Sequence, residues 1–262
     1  MRLVVVGGGK MGEALVGGAV RGGFAPADEI SVVEALAPRR AELAAAFPGL
    51  AVGETVPEGA DGVVIAVKPG DVPSACAAIA AAHPRRVLSI AAGVTLTSLE
   101  AWLPGLPVVR AMPNTPAMVG AGAAAIAPGA HAGAADLDWS DAVLGSVGIV
   151  VRVTEKVLDA VTGLSGSGPA YVFLVAEALI EAGVLVGLDR PTSAALARQT
   201  LLGAARLMDE TGQTPEQLRA AVTSPAGTTA AGLRVLEQRG ERAAFLDAVV
   251  AATERSRELG RS

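Results

Sequence analysis

Three glycines near the amino terminus have the spacing of a phosphate-binding turn. In the stretch VVVGGGKMGEAL, Gly7, Gly9 and Gly12 form the pattern G-x-G-x-x-G between an apolar run and a helical pattern. The first glycine permits a tight turn, the second lets the backbone approach a pyrophosphate, and the third lets the helix pack closely on the strand. The motif predicts a dinucleotide site at the start of this helix, to which we also assign Lys10 and Met11. The alternative is a plain glycine-rich turn.

The residue that ends the second predicted strand bears on which dinucleotide binds. Glu34 can bond the adenine ribose hydroxyls of NADH, and its negative charge repels a 2′-phosphate. Arg39 and Arg40 follow closely and can pair with that phosphate instead. The alternative for both arginines is a solvated first turn of a helix. The sequence therefore leaves NADPH and NADH both open as the cofactor.

Further strand ends fall at the edge where open α/β sheets bind ligands. Lys68 and Pro69 in AVKPGDV would face the ribose or nicotinamide half of the cofactor, and Asn114 in RAMPNTPA can bond its carboxamide or ribose. A turn-forming or solvated role is the alternative for Lys68 and Asn114. The full set of cofactor contacts predicted at these strand ends is Ala66, Val67, Lys68, Pro69, Ala91, Gly93, Met112 and Asn114.

Two loops in the second half of the chain combine small residues with hydroxyl groups. In GLSGSGPAYVF, Ser167 has the position of a helix N-cap, and Pro169 lies just inside the helix. Gly166 and Gly168 leave the surface open to the approach of another group. The spacing and the lack of a suitably placed histidine exclude a G-x-S-x-G nucleophile elbow. Simple helix capping is the alternative interpretation of this loop.

The second loop, AVTSPAGTTAAGL at 221–233, contains no lysine, arginine or histidine. Pro225 ends the preceding helical pattern, and Thr228 or Thr229 begins the next one. The free N–H groups around Gly227 and the two threonines would suit a carboxylate, helped by the helix dipole, and the hydroxyls add rotatable donors. From the residues alone, this loop is either an anion pocket or a spacer.

The motifs described above lie in two regions of the chain that differ in predicted secondary structure. Short β-branched runs predict strands, and Ala-rich helical patterns follow the first four of them, which is typical of a parallel sheet covered on both faces. The predicted strands are 2–6, 29–34, 62–67, 86–92, 107–112 and 148–153. The predicted helices after residue 154 are 156–164, 169–187, 191–211, 215–222, 229–238 and 241–259. We therefore predict an α/β domain at 1–153 and an all-helical domain at 154–262.

The helical domain has more apolar surface than it can bury. The segments 169–187 and 192–208 are apolar around most of their circumference, and a helix of this kind needs partners on all sides. This predicts an obligate homodimer. The stretch 169–188 is long enough to span a membrane, but Glu177 and Glu181 near its middle would be costly in lipid. We interpret it as a soluble helix buried on most sides.

Composition narrows the functional classes further. The net charge of −5 argues against a sequence-independent nucleic-acid binder, and the single cysteine excludes an intramolecular disulfide framework. Cys76 lies in an apolar run and is expected to be a buried small hydrophobe. With His83 and His131 in loops, no metal site is predicted. The amino terminus lacks the pattern of a signal peptide, so we expect a cytoplasmic protein that does not bind membranes.

The motifs together resemble one enzyme family over essentially the whole chain. GGGKMGEAL, AVKP, RAMPNTPA, LSGSGPAYVF and VTSPAGTTAAGLRVLE occur in the order and spacing of the pyrroline-5-carboxylate reductases, and the last block is the most specific. The resemblance implies hydride transfer from NADPH or NADH to 1-pyrroline-5-carboxylate, giving L-proline in the last step of proline biosynthesis. It also implies a Rossmann-like domain, a helical dimerisation domain of the 6-phosphogluconate-dehydrogenase-like kind, and homodimers that can stack as a decamer of five dimers.

The resemblance also implies roles for the two loops. In the family, the SPAGTT block holds the substrate carboxylate through main-chain N–H groups, the threonine matching Thr229 bonds the ring nitrogen, and SGSGPA shapes the pocket. The implied substrate contacts are therefore Ser224, Gly227, Thr228, Thr229, Ser167 and Gly168, with Thr229 as the catalytic residue. The family block often reads Pro-Gly-Gly, so Ala226 in this chain argues against a strained backbone at that position.

Two rival functions differ in what they require of the second half of the chain. A β-hydroxyacid dehydrogenase has the same two-domain layout but uses a lysine on a helix of the second domain, and no lysine follows Lys156. A nucleotide-sensing protein without turnover would keep the glycine motif but would have little use for SPAGTT.

Overall fold

The computed structural model describes residues 1–260, which form two compact units. Among the described residues, the first unit comprises Met1–Ser167 together with residues 250–260, and the second is Gly168–Val249. The change from strands to helices, which we predict at 153/154, thus precedes the division between the compact units. The two positions differ because a short helical segment after the last strand packs with the first unit.

The first unit is an α/β structure built on one sheet of eight strands. The strands are β1 (Leu3–Val6), β2 (Ile30–Val33), β3 (Ala51–Gly53), β4 (Val63–Ile65), β5 (Val87–Ser89), β6 (Val108–Met112), β7 (Gly122–Pro128) and β8 (Gly148–Arg152). Its helices are α1 (Lys10–Arg21), α2 (Ala37–Ala46), α3 (Val72–Ala81), α4 (Leu96–Trp102), α5 (Ala134–Gly145) and α6 (Leu158–Val161).

The order of the strands in the sheet reverses at β1. The order is β3-β2-β1-β4-β5-β6-β7-β8, and β1 pairs in parallel with β2 on one side and β4 on the other. Val5 of β1 lies opposite Val32 and Val64. The strands β2 and β3 thus lie on one side of β1, and β4 and the later strands lie on the other. In doubly wound sheets, nucleotides bind in the crevice at such a reversal of strand order.

The predicted parallel sheet is confirmed for β1 to β6. β7 runs antiparallel to β6, and β8 pairs in parallel with β7, so the last two strands both run opposite to the others. The connection at 113–121 contains a 3₁₀ turn at Thr115–Val119 and is too short for a crossover helix. Neither β7 nor β3 is among the predicted strands. The sequence of β7 is GAAAIAP, and alanine has a low strand propensity. Pairing with β6 and β8 holds this segment extended in spite of its composition.

Both faces of the sheet are covered, as the continuous apolar strands predict. Along β1, Leu3 and Val5 belong to one apolar core, while Val4 and Val6 belong to the core on the opposite face. Cys76 of α3 is fully buried in the second core, and this burial raises the pKa of its thiol to about 11. The expected role of Cys76 as a small buried hydrophobe is confirmed.

The second unit is entirely helical. It contains α7 (Gly168–Leu185), α8 (Arg190–Thr211), α9 (Pro215–Ala221) and α10 (Thr228–Gln238), followed by α11 (Glu241–Leu259), whose last residues belong to the first unit. The helices α7 and α8 pack closely: the Ser193 hydroxyl donates to the Ile180 carbonyl at 2.7 Å, and a Cβ at Gly183 would overlap that hydroxyl.

The second unit buries little of its apolar surface within the chain. None of the α7 residues is buried, so the expectation of a helix buried on most sides is not met by the single chain. The exposed large side chains on α7 include Phe173, Leu174 and Leu185. One helical stretch, Glu155–Leu185, is long and apolar enough to cross a membrane by length and composition alone, which is weak support for a span.

Two glycines in the first unit provide a matched test of the packing between α1 and the segment after α5. A Cβ at Gly18 would overlap Val147 and lie 3.0 Å from the Ser146 carbonyl oxygen, whereas a Cβ at Gly145 meets nothing within 4 Å. Gly18→Ala should lower the unfolding free energy by about 1–3 kcal/mol. Gly145→Ala should leave it unchanged or raise it by up to about 1 kcal/mol. Thermal unfolding at equal protein concentration measures both, and equal melting temperatures would contradict this packing.

Candidate functional site

Two of the three motif glycines lie where a side chain would clash, and the third lies in open space. Gly7 has φ +109°, and a Cβ there would lie 2.7 Å from the Ala66 backbone. A Cβ at Gly12 would overlap the Gly7 carbonyl oxygen, whereas a Cβ at Gly9 would meet nothing within 4 Å. The turn is thus packed tightly at its two ends and open at Gly9. This is the geometry that the approach of a pyrophosphate requires.

The first helix begins next to this open position. Gly9 is the N-cap of α1 with an extended backbone, and no side chain in the described chain caps the helix there. The first N–H groups of a helix have no partner within the helix, so those that follow Gly9, beginning at Lys10 and Met11, are suited to hold an anion. The predicted pyrophosphate site at Gly7, Gly9, Lys10, Met11 and Gly12 fits this geometry and remains a prediction.

The carboxylate of Glu34 lies against the glycine turn. One oxygen accepts from the Gly8 N–H and the other from the Leu36 N–H, both at 2.9 Å. Glu34 directly follows β2, so strand pairing with β1 brings its side chain to the turn. The sequence spacing predicts this placement, but the two backbone hydrogen bonds that orient the carboxylate depend on the folded structure.

Arg39 and Arg40 both have protein partners. Arg39 donates through Nε to the Gly8 carbonyl at 2.7 Å and through its other nitrogens to Glu13 and Glu42. The hydrogen bonds to Glu42 and Glu13 hold the pKa of the Arg39 guanidinium above its usual value. Arg40 donates to two backbone carbonyls after β2 and pairs with Glu54. Arg39 and Arg40 lie in the first turn of α2, as the alternative interpretation predicts, but both side chains are paired with protein groups and partly buried instead of solvated.

The other predicted cofactor residues lie at the same edge of the sheet. Ala66 follows β4 and its N–H donates to the Val6 carbonyl at 2.8 Å, while Lys68 and Pro69 begin a 3₁₀ turn before α3. Gly93 follows β5 and adopts φ +76°. These residues follow or end the neighbouring strands β4, β5 and β6, so the strand order places them along one edge of the sheet. The predicted contacts at this edge are Ala66, Val67, Lys68, Pro69, Ala91, Gly93, Met112 and Asn114.

Asn114 uses both ends of its amide within the protein. Its Nδ2 donates to the Ser165 carbonyl at 3.0 Å, and its Oδ1 accepts from the Ala123 N–H at 2.8 Å. The residue is only 9% exposed. These bonds tie the segment after β6 to β7 and to the turn before α7. The predicted contact of Asn114 with the cofactor stays a prediction, and the structure adds a structural role that the sequence did not reveal.

The turn before α7 is not the helix start that the sequence predicts. Thr162–Gly166 form a π-helical turn, in which the Ser167 N–H donates to the Thr162 carbonyl at 2.8 Å. Ser167 has helical backbone angles (φ −85°, ψ −20°), whereas an N-cap is extended. The prediction of Ser167 as an N-cap is therefore wrong. Such single π turns occur often at functional sites, and a Cβ at Gly166 would lie 2.6 Å from the Met112 methyl group.

The second predicted loop forms a tight turn that leads into a helix. The Gly227 N–H donates to the Ser224 carbonyl at 3.0 Å, and Ala226 between them has φ +61°. A positive φ at the third residue of a turn with proline second is typical of type II, where glycine is usual. The expectation of an unstrained backbone at Ala226 is wrong, because the turn imposes a left-handed conformation that costs about 1–2 kcal/mol for alanine.

This turn presents backbone donors at the start of α10. Gly227 is the N-cap with an extended backbone (φ −77°, ψ 171°), and no side chain in the part of the chain described caps the helix. The N–H groups of the first turn, including those of Thr228 and Thr229, therefore lack helical partners. A Cβ at Gly227 would overlap the Ser224 hydroxyl.

Within residues 1–260, no group of three or more His, Cys, Asp or Glu side chains could hold a metal ion.

Comparisons with known proteins agree with the two-part organisation. A family model described as "Pyrroline-5-carboxylate reductase dimerisation" matches residues 155–259, and one described as "NADP oxidoreductase coenzyme F420-dependent" matches residues 2–93. The predicted Rossmann-like domain followed by a helical dimerisation domain is confirmed. The amino-terminal match also supports NAD(P)H as the cofactor.

Curated relatives and solved structures carry the same family name. The chain is 43% identical to a pyrroline-5-carboxylate reductase of Methanosarcina acetivorans, covering 98% of this chain and 97% of that protein. It is 44% identical to one of Mycobacterium leprae, covering 98% and 96%. A reductase structure from Coxiella burnetii has a TM-score of 0.94 at 35% identity, covering 100% of this chain and 99% of that one.

A pyrroline carboxylate reductase structure from Plasmodium falciparum, solved with NADP bound, has a TM-score of 0.85 at 30% identity and covers 99% and 98% of the two chains. A prephenate dehydrogenase from Aquifex aeolicus, 13% identical with a TM-score of 0.55, shares the fold alone. Because the relatives above 40% identity cover almost the entire chain, and because the dimerisation model matches its helical half, the chain belongs to the pyrroline-5-carboxylate reductase family.

Proposed function

We propose that this chain reduces 1-pyrroline-5-carboxylate to L-proline with NADPH or NADH, the last step of proline biosynthesis. The observation that carries the proposal is the full-length similarity to pyrroline-5-carboxylate reductases. The turn before α10 adds to it, since uncapped backbone donors there suit a carboxylate. When bound, the dinucleotide supplies a hydride, and the residues of the chain hold and orient the two reactants.

The glycine turn and the first turn of α1 hold the pyrophosphate. Gly9 leaves the backbone accessible, and the N–H groups that follow it supply donors without a competing side chain. Glu34 binds the adenine ribose hydroxyls. The strand ends at Lys68 and Met112 line the rest of the dinucleotide site.

The turn at 224–229 binds the substrate. The N–H groups of Thr228 and Thr229 hold the carboxylate, and the Thr229 hydroxyl bonds the ring nitrogen. The Gly227 N–H, expected from the sequence to be a further donor, closes the turn on the Ser224 carbonyl instead. We assign Ser167 and Gly168 to substrate contacts as well. Hydride adds to the C=N carbon of the protonated imine, and the nitrogen keeps its proton as the product amine forms. A protonated imine is already a good hydride acceptor, so orientation matters more than proton transfer.

The direct test is absorbance at 340 nm, with the protein, 1-pyrroline-5-carboxylate and either NADPH or NADH. Substrate-dependent loss of absorbance supports the reductase. No oxidation with either cofactor would favour a nucleotide-sensing protein without turnover. Oxidation of a β-hydroxyacid in the reverse assay would favour the dehydrogenase alternative.

Removing the Thr229 hydroxyl should slow the reaction. Thr229→Val removes one donor from the substrate site, which in comparable sites costs about 2–4 kcal/mol, so turnover should fall roughly a hundredfold. Dinucleotide affinity should not change. The matched control is Thr223→Val, because the Thr223 hydroxyl donates to the Arg219 carbonyl of its own helix. Equal kinetics of Thr229→Val and the unmodified protein would remove Thr229 from the mechanism.

Loss of the Asn114 amide should lower the free energy of unfolding of the cofactor-free protein. Asn114→Ala leaves the Ser165 carbonyl and the Ala123 N–H without their partner, at about 1–3 kcal/mol for each buried group. Asn114→Asp keeps the acceptor for Ala123 and should lose less. The melting temperature of the cofactor-free protein measures this, and unchanged melting in both variants would argue against the structural role.

The assembly we propose is a homodimer formed through the helical domain at 154–262, with the dinucleotide bound by 1–153 and with five dimers able to form a decamer. The dimerisation family model and the exposed apolar face of α7 support the dimer. We further propose a cytoplasmic location, consistent with a small-molecule substrate.

A single charge on α7 should disrupt this assembly. Leu174 is 65% exposed in the single chain, and Leu174→Glu would place a carboxylate in the proposed interface, where desolvation is costly. Leu36→Glu is the matched control, since Leu36 is 66% exposed in the first unit. Sedimentation velocity should show smaller species for Leu174→Glu only. A stable monomer of the unmodified protein at micromolar concentration would contradict the dimer.

A further inference from the structure

A charged network surrounds the turn between β2 and α2. It consists of six side chains joined by hydrogen bonds or ion pairs to that turn or to its two arginines: Glu13, Glu34, Glu42, Glu54, Arg39 and Arg40. Four carboxylates and two guanidinium groups give the network a net charge of −2. From these contacts we infer that the chain prefers NADH over NADPH, and that Glu34 is the residue that discriminates between them.

The Glu34 carboxylate is fixed facing the glycine turn. It accepts one backbone N–H from the turn, at Gly8, and one from the start of α2, at Leu36. A carboxylate has about four acceptor positions, so two remain for ribose hydroxyls. A carboxylate and a 2′-phosphate are both negatively charged acceptors, so the two groups repel each other. Glu34 therefore favours the unphosphorylated ribose.

The two arginines that could compensate are held by other acceptors. Each of the three Arg39 nitrogens donates to protein: Nε to the Gly8 carbonyl, and the two terminal nitrogens to Glu42 and Glu13. Arg40 donates to the carbonyls of Glu34 and Ala35 and pairs with Glu54. Turning either guanidinium toward a phosphate would leave carboxylates unpaired beside the incoming negative charge. A 2′-phosphate thus meets an acidic surface instead of a free guanidinium.

Binding of the two reduced dinucleotides to the full-length protein tests this inference without substrate. Titration calorimetry should give an NADPH dissociation constant at least about tenfold above that of NADH, since like-charge juxtaposition is costly. Glu34→Gln keeps the size of the side chain and removes its charge, and it should cut this ratio about tenfold, mainly through tighter NADPH binding. Glu58→Gln, which neutralises an exposed carboxylate outside the network, should leave the ratio unchanged.

Three results would overturn the inference, and a fourth would contradict the proposal on which it rests. Equal or tighter binding of NADPH by the unmodified protein would overturn the inference, as would an unchanged ratio in Glu34→Gln. A selective loss of NADPH binding in Arg39→Met would also overturn it, because that result requires Arg39 to hold the phosphate. The inference rests on the proposed use of a nicotinamide dinucleotide. Failure to bind either dinucleotide would contradict that proposal itself.

Discussion

The tight turn between β1 and α1 sets the position of α1 and of the side chains that contact the turn. Gly12 can pack against the Gly7 carbonyl only because it lacks a Cβ, and Gly7 similarly admits the backbone of Ala66 at the end of β4. This close packing brings α1 down onto the sheet and leaves Gly9 exposed. It also aims the Gly8 N–H at Glu34 and the Gly8 carbonyl at Arg39. Backbone geometry thus organises the side chains that surround the turn.

The second unit relies on backbone donors in the same way. Its turn at Ser224–Gly227 contains a left-handed alanine, a local cost that the turn hydrogen bond and the following helix α10 must offset. The donors at the start of α10 carry no net charge, so they can hold a carboxylate without a lysine or arginine nearby. Both proposed anion sites are thus helix starts with glycine as the N-cap, Gly9 for α1 and Gly227 for α10.

The single chain leaves the apolar surface of α7 exposed, and this surface favours assembly with another chain. The helix α7 is mostly apolar, yet none of its residues is buried in the single chain. A helix of this kind needs partners around its whole circumference. The match of a dimerisation family model to residues 155–259 explains what this surface is for. The helices that flank the turn at 224–227 lie in this same region, which the dimerisation model matches.

The sequence by itself determined the features that depend on local pattern. Apolar strands in alternation with helices predict the covered sheet, and the spacing of Gly7, Gly9 and Gly12 predicts the nucleotide turn. The order of the longer motifs predicts the family. Tertiary structure alone decided the features that rest on contacts between distant residues. The alanine-rich β7 is extended because its neighbours pair with it, and Asn114 is bonded to Ser165 and Ala123, which lie on other segments. The partners of Arg39 likewise come from two helices, and no spacing along the chain reveals which acceptors a guanidinium finds once the chain has folded.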